Sequence, residues 1–305
     1  MLAECLCRLI RALRHAPRCA PSRARRLLGL GGLSTASLAV VPRHSPSDLL
    51  PVALRAARAG AAVLLQSGLP HPGASADLKG RGDYVTATDH RSESAILEVL
   101  ARESPGIPVL AEERGGIRSS DMWAVDPLDG TTNFTRGFPT VGISVALLEK
   151  GRPVAGAVLA PFLEIEFSAS RGHGAFRDGE RLPAHRTVDL GSAVVATGFP
   201  FRDRSLLPRY LPVMTAALAR FEDLRRAGAA ALDLAWTAAS TFDGFFELGL
   251  NTWDVAAGAL LVLEVGGRVT DWSGGDAWIE SGNILAAAPA VHDALLELAA
   301  KPPQG

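Results

Sequence analysis

The sequence predicts a layered α/β domain, and three observations carry that expectation. Helical and strand-like patterns of apolar residues interleave along the chain without a clean strand–helix–strand repeat. With 305 residues, 48% hydrophobic and 21% charged, the chain can bury a large core as one large domain or two medium ones. After residue 45 there is no internal repeat, coiled-coil heptad or low-complexity tract, and nowhere is there the run of about 18 apolar residues that a membrane span needs.

The net charge of −1 conceals an asymmetry. Residues 1–45 hold eight arginines against one acid, Glu4, so this stretch carries +7 and the remaining 260 residues carry −8. An acidic body argues against direct nucleic-acid binding, which needs a basic surface along the phosphate backbone. Cys5, Cys7 and Cys19 all lie in the basic head. The body therefore has no thiol for a disulfide framework, a cysteine–zinc site or a cysteine nucleophile.

The head is set apart from the fold, and three readings fit it. Arg25-Arg26 followed by Ser37-Leu38-Ala39 resembles an export signal, and the arginine-rich, acid-poor bias equally suits a transit peptide. A start assigned too far upstream is the third, in keeping with 28 arginines against 3 lysines. Residues 46–300 are expected to form a single domain of two layered halves, about 46–190 and 191–300.

The elements follow in order. Ser47 is the expected N-cap of a first helix, with Leu50, Ala53, Leu54, Ala57, Ala61 and Leu64 at helical spacing until Gly68 and Pro70. A loop holding Lys79, Gly80 and Gly82 precedes a second helix opened by Thr88-Asp89, with an apolar face of Ala95, Ile96, Val99 and Leu100. Short buried strands are expected at Val109–Ala111 and Met122–Val125. A hairpin joins Val141–Glu149 to Pro153–Ala160 through Lys150-Gly151, and Ile165–Ser170 adds a strand. In the second half, helices are expected near 206–222, 228–241, 253–265 and 290–299, the third stopped by Gly266-Gly267. Strands are expected at Phe245–Leu248, Val269 and Ile284–Ala287.

The chemistry concentrates in Asp126-Pro-Leu-Asp-Gly-Thr-Thr-Asn133, directly after the apolar Trp123–Val125. Carboxylates leaving a buried strand face the crevice where α/β proteins place ligands. The Gly-Thr-Thr amides can form an anion nest. Phosphatases that pass through an aspartyl phosphate space their two aspartates two residues apart. Asp126 and Asp129 are three apart, which suits ligation of a cation better than a nucleophile–acid pair. An ordinary Asp-rich turn is the alternative. Val109-Leu-Ala-Glu112-Glu113 ends another strand in acids, and Trp253-Asp254 puts a carboxylate at a helix start, where it also reads as a cap. Asp89 in Val85-Thr-Ala-Thr-Asp89 has the same two readings. Asn133-Phe-Thr135 matches a glycosylation sequon but lies inside the predicted site.

Glu112-Glu113, then Asp126-Pro-Leu-Asp-Gly-Thr-Thr-Asn133, then Trp253-Asp-Val-Ala-Ala-Gly258, in that order, resemble the inositol monophosphatase family across roughly residues 47–300. Leu224-Arg-Arg-Ala-Gly-Ala-Ala-Ala-Leu-Asp-Leu-Ala235 and Asp243-Gly-Phe-Phe-Glu-Leu-Gly-Leu250 resemble its bacterial, broad-specificity branch. The resemblance implies an αβαβα sandwich and a Mg²⁺-dependent phosphomonoesterase using two to three ions, with direct in-line attack of an activated water. Carried over by position, Glu112, Asp126 and the Leu128 carbonyl would hold a first metal. Asp126, Asp129 and Asp254 would hold a second. Glu112 and Thr131 would orient the water, with Asp89 hydrogen-bonded to Thr131. Leu128, Asp129, Gly130, Thr131, Arg225, Gly228, Ala229, Ala230, Glu247 and Asp254 would line the substrate, Glu247 accepting polyol hydroxyls. Lys79, or else Arg81, would serve a mobile third-metal loop. Electrostatics agrees with a cation site, because two unit charges 4 Å apart repel by about 4 kcal/mol even at an effective dielectric near 20. All-oxygen donors select a hard cation such as Mg²⁺ over Zn²⁺.

The expected substrate is myo-inositol 1-phosphate, with related polyol and sugar phosphates tolerated. Histidinol phosphate and fructose 1,6-bisphosphate are the alternatives on the same scaffold. Bacterial relatives also suggest a regulatory binding role on the RNA-synthesis machinery. The resemblance further implies a homodimer and sensitivity to Li⁺; Phe199, Pro200 and the helices after them are candidates for the dimer face. A cytoplasmic location is expected unless residues 1–45 are a targeting segment.

Overall fold

The computed structural model describes residues 46–71, 77–80, 83–186 and 188–300, all within a compact unit spanning Arg43–Gly305. The readings of residues 1–45 and of Arg81 lie outside the described residues. Helix α1 (Pro46–Ser67) already contains Ser47, the expected N-cap. Gly68 ends it in a left-handed turn (φ +68°), its amide donating to the Leu64 carbonyl at 3.0 Å. In place of the expected loop, β1 (Asp77–Gly80) pairs antiparallel with β2 (Asp83–Val85). Lys79 lies in β1, whose backbone alone is described. Helix α2 (Ala87–Glu103) is capped by Thr86 rather than opened by Thr88, because Asp89 closes a capping box with Thr86.

Strands β3 (Val109–Ala111), β4 (Gly115–Gly116) and β5 (Met122–Asp129) follow, then the short helix α3 (Thr131–Thr135). Next come the hairpin β6 (Gly142–Glu149) and β7 (Arg152–Ala160), then β8 (Ile165–Ser170), β9 (Gly174–Arg177) and β10 (Glu180–Arg181). Lys150 and Gly151 both have positive φ, the tight-turn geometry that suits strand twist. These strands form an eight-stranded sheet in the order β10-β9-β8-β7-β6-β5-β3-β4, antiparallel except for β3 beside β5.

The second half contributes β11 (Val194–Thr197), α4 (Leu207–Arg220), β12 (Asp223–Arg225), α5 (Ala230–Ala238) and β13 (Gly244–Glu247). It ends with α6 (Thr252–Glu264), β14 (Arg268–Thr270), α7 (Trp278–Ser281), β15 (Ile284–Ala287) and α8 (Pro289–Ala300). Its strands form a five-stranded sheet in the order β12-β11-β13-β15-β14.

Three apolar cores bind the layers. Leu64, Ile96 and Leu100 of α1 and α2 pack on Trp123, Val125, Ile143 and Val145. On the opposite face of the large sheet, Ala124, Ala146 and Val158 meet Leu232 and Leu234 of α5 and Leu260 and Leu261 of α6, which also cover Phe245 and Ile284 of the small sheet. Tyr210 and Val213 of α4 and Val291 and Leu295 of α8 close the outer face over Val195, Phe246 and Leu285. The result is the αβαβα sandwich. Trp123 and Val125 enter one core while Met122 and Ala124 enter the next, the period-two alternation of a strand covered on both faces.

The middle layer stays thin because α6 presents Ala256, Ala257, Gly258 and Ala259 to its neighbours. A methyl group on Gly258 would lie 2.5 Å from Leu234 Cβ and 3.2 Å from the Ala231 carbonyl oxygen. Gly258→Ala is therefore expected to lower unfolding stability by about 1–3 kcal/mol through overpacking, outweighing its gain in helix propensity. Urea denaturation of the purified variant measures this; stability at or above wild type would contradict it.

Candidate active site

A single irregularity in β5 builds the centre of the site. Asp126 pairs with Ser144 and Asp129 with Gly142, so three residue steps on β5 face two on β6. Residues three apart in a regular strand point to opposite faces; this bulge brings Asp126 and Asp129 to one cavity. Pro127 lacks an amide to lose and fits such an interruption. Its carbonyl accepts from Ser92 Oγ at 2.8 Å, and the Leu128 amide donates to Asp126 Oδ1 at 2.9 Å. The strand therefore runs to Asp129, beyond the expected end at Val125.

Other elements bring further acids to the same cavity of about 440 Å³. Glu112 follows β3, its backbone amide donating to the Val125 carbonyl at 3.1 Å. Asp254 lies in the first turn of α6 and accepts from the Asn251 amide at 2.6 Å. Asp129 Oδ2 accepts from the Ala231 amide at the start of α5 at 2.7 Å. Helix N-termini thus supply donors to two of the acids. Asp126, Asp129 and Asp254 are all buried.

Asp89 caps a helix and also contacts Thr131. Its Oδ2 accepts from the Thr86 amide at 2.8 Å as a helix cap, while Oδ1 accepts from Thr131 Oγ1 at 3.3 Å. The Thr131 hydroxyl also lies 3.2 Å from the Leu128 carbonyl oxygen. Gly130, at φ +89°, must be glycine: a methyl group there would come within 2.9 Å of the Thr140 oxygen and 3.3 Å of the Gly228 oxygen.

Burial and mutual repulsion raise the acids. Asp126 is pushed up by burial and by Glu112, Asp129 and Asp254. Asp129 is pushed up to about 7 by burial and Asp254, against the Ala231 and Ala230 amides. Asp254 is raised by burial, opposed by Arg202. A cation among these buried, mutually repelling carboxyl groups would offset their charge. The all-oxygen donor set fits a hard divalent cation. Among the described residues, no three acids or histidines already form a ligand cage.

At the other end of the cavity, Gly228, Ala229, Ala230 and Glu247 are in the lining. Arg225 is not: it pairs with Asp223 on β12. Its neighbour Arg226 lines the cavity instead, its guanidinium 5.5 Å from the centre of Phe199 and 5.3 Å from that of Phe201. Phe199 and Pro200 also line it. Burial, Asp254 and Asp129 push Glu247 up to about 8, against Arg226 and Arg202. Asn133, buried, donates through Nδ2 to the Thr140 carbonyl at 2.7 Å and the Ala227 carbonyl at 2.9 Å, so it ties α3 to the segment before α5.

Several contributors escaped the sequence reading. Glu93, fully buried, accepts from the Glu113 amide at 2.8 Å and pairs with Arg114 at 3.3 Å, fixing the chain just after Glu112. Its signal was present, because Asp89, Glu93, Ile96 and Leu100 share one helical face. Gly198 lies against Glu247, and a methyl group there would sit 2.0 Å from Oε2. Asp233 on α5, also buried in the lining, has an Oδ1 with no hydrogen-bond partner.

A model of the inositol monophosphatase family matches residues 45–303. The Nus factor SuhB of Pasteurella multocida is 40% identical over 253 residues, covering 82% of this chain and 95% of its own. The crystal structure of the extragenic suppressor protein SuhB from Bartonella henselae superposes with a TM-score of 0.77 at 36% identity, covering 83% of this chain and 99% of its own. The inositol monophosphatase from Anabaena gives 0.73 at 35% identity, covering 83% and 95%.

The raised Asp129 has a measurable consequence. Its carboxyl keeps a proton to about pH 7 in the fold but loses it near pH 3.9 when unfolded. The folded state therefore binds more protons in between, and this group's contribution to stability is present below about pH 4 and lost as pH rises to 7. Asp129→Asn should gain melting temperature relative to wild type as pH rises from 5 to 8 in EDTA, and lose that advantage when Mg²⁺ is added. A pH-independent difference between the two proteins in EDTA would contradict the assignment.

Proposed function

The chain belongs to the inositol monophosphatase family, and from that premise we propose that it is a Mg²⁺-dependent phosphomonoesterase whose leading substrate is myo-inositol 1-phosphate, with other small polyol and sugar phosphates accepted. The observation that supports this reading most is the convergence of Asp126, Asp129 and Asp254, all buried, with Thr131 in one cavity, the Thr131 hydroxyl held from behind by Asp89. A structural acid cluster has no need of a hydroxyl held at its edge.

In this reading Glu112, Asp126 and the Leu128 carbonyl would hold one ion, and Asp126, Asp129 and Asp254 would hold another. The chemistry the ions supply when bound is neutralisation of the phosphate and a lowered pKa for the attacking water. Glu112 and Thr131 orient that water. Asp89 orients the Thr131 hydroxyl and offers Oδ1 as the next acceptor along the chain of hydrogen bonds. The Gly130 and Thr131 amides receive the phosphate. The water oxygen bonds to phosphorus as the ester bond breaks in line, with inversion. The water gives up one proton toward Glu112 and the Thr131–Asp89 chain, and the departing alkoxide takes up one from a solvent water. No covalent enzyme intermediate is required. Glu247, seated against Gly198, pairs with the hydroxyls of the leaving alcohol. A homodimer and sensitivity to Li⁺ belong to the same reading.

A second reading has its own support. Relatives about 40% identical over most of this chain carry the name Nus factor SuhB, which points to a binding role on the RNA-synthesis machinery.

Phosphate release from myo-inositol 1-phosphate, histidinol phosphate and fructose 1,6-bisphosphate, with and without Mg²⁺, tests the proposal. Turnover should require Mg²⁺, be led by the inositol ester, and fall at least about 10³-fold in Asp126→Asn. If folded protein turns over no ester, retention of RNA polymerase by the Asp126→Asn variant would shift the assignment to the binding role. The Gly198→Ala variant is expected to raise KM for the inositol ester more than it lowers kcat, because it displaces Glu247 and leaves the acid cluster in place. A selective fall in kcat would contradict that division of labour.

A further inference from the structure

Arg202 occupies the segment between β11 and α4 and lines the cavity. Its Nη2 lies 3.7 Å from Glu112 Oε1, and its charge also offsets the burial of Asp129, Asp254 and Glu247. Among the described residues, the other arginine in the lining is Arg226. Arg226 is held over Phe199 and Phe201, and its charge favours ionisation of Glu247 and Asp233 at the far end. The two cations therefore divide the cavity, with Arg202 facing the acids assigned to the metals.

We propose that Arg202 is an internal counter-ion of the acid cluster, holding Glu112 when no metal is bound and yielding its place to the entering divalent cation, so that it sets the affinity of the site. This rests on the reading of the cluster as a Mg²⁺ site. A guanidinium and a divalent cation are both attracted by the Glu112 carboxylate, but their like charges oppose joint occupancy. With its side chain 46% exposed, Arg202 is anchored at one end and open to water at the other. It can withdraw along its stem without opening a core, and solvent keeps the competition modest. The anchor also helps the metal-free site: the acids facing the cavity are less repulsive with a cation among them.

The test is calorimetric titration of Mg²⁺ into the full chain at pH 8, for wild type, Arg202→Gln and Arg202→Lys. Arg202→Gln should bind Mg²⁺ about 3- to 10-fold more tightly, with Arg202→Lys close to wild type. Melting temperatures give a second readout. Arg202→Gln should melt below wild type in EDTA and match it in saturating Mg²⁺, whereas a purely structural arginine would cost the same in both. Equal or weaker Mg²⁺ affinity in Arg202→Gln, or equal melting losses in both buffers, overturns the proposal. If neither protein binds Mg²⁺, the metal reading itself fails. The EDTA comparison then still decides the counter-ion role, and an unchanged melting temperature would end it.

Discussion

One extra residue in a central strand is the constraint on which the site depends. Without the step between Asp126 and Asp129, period-two geometry would put one of these carboxylates in the core between α2 and the large sheet. That core is lined by Trp123, Val125 and Ile143, apolar side chains that cannot pair with a charge. The bulge is held from both sides. Ser92 of α2 secures the Pro127 carbonyl, and Gly142 leaves room opposite, since a methyl group there would lie 3.1 Å from Leu232 Cγ and 3.6 Å from Asp129 Cβ. Backbone irregularities of this kind re-aim side chains at functional sites, and here the distortion is buried where neighbouring layers fix it.

The remaining acids are held against their own repulsion by fixed partial charges. The amide of Ala231 at the start of α5 meets Asp129, and that of Asn251 ahead of α6 meets Asp254. Each hydrogen bond to an ionised acceptor is stronger than one between neutral groups, and each belongs to an element whose apolar face is already committed to the middle core. The carboxylates therefore cannot simply turn away. The apolar packing that makes the sandwich stable is what compels the acids to share a cavity; burial then raises Asp126, Asp129, Asp254 and Glu247, and repulsion adds to it at Asp126, Asp129 and Glu247.

Much of this was legible in the sequence, for identifiable reasons. Strands buried on both faces announce themselves as apolar runs, and β3, β8 and β15 lie at their expected residues. The Asp126–Asn133 segment was legible because acids, proline and glycine interrupt such a run. Elements defined by pairing alone were not: β4 is Gly115-Gly116 and β10 is Glu180-Arg181, and neither carries an apolar signal. Helix starts were misplaced by one or two residues where several residues can cap, as at Ser47 and Thr86. The choice between Arg225 and Arg226 was beyond sequence because the two are adjacent, and only the end of β12 at Arg225 and the turn into α5 decide which faces the cavity. Gly198 and Glu247 are far apart in the chain, and their contact exists only once β11 and β13 lie side by side.

The acids also come from both halves of the chain. Glu112, Asp126 and Asp129 extend from the large sheet, while Asp254 and Glu247 arrive with the middle helices and the small sheet. An ion held by acids from both halves would therefore work as a clasp across the seam between the sheets, and its binding energy would be shared with their docking. Such a molecule would report ion supply through its own cohesion. In ion-poor surroundings the seam would be its weakest line, where exchange with solvent and attack by proteases begin.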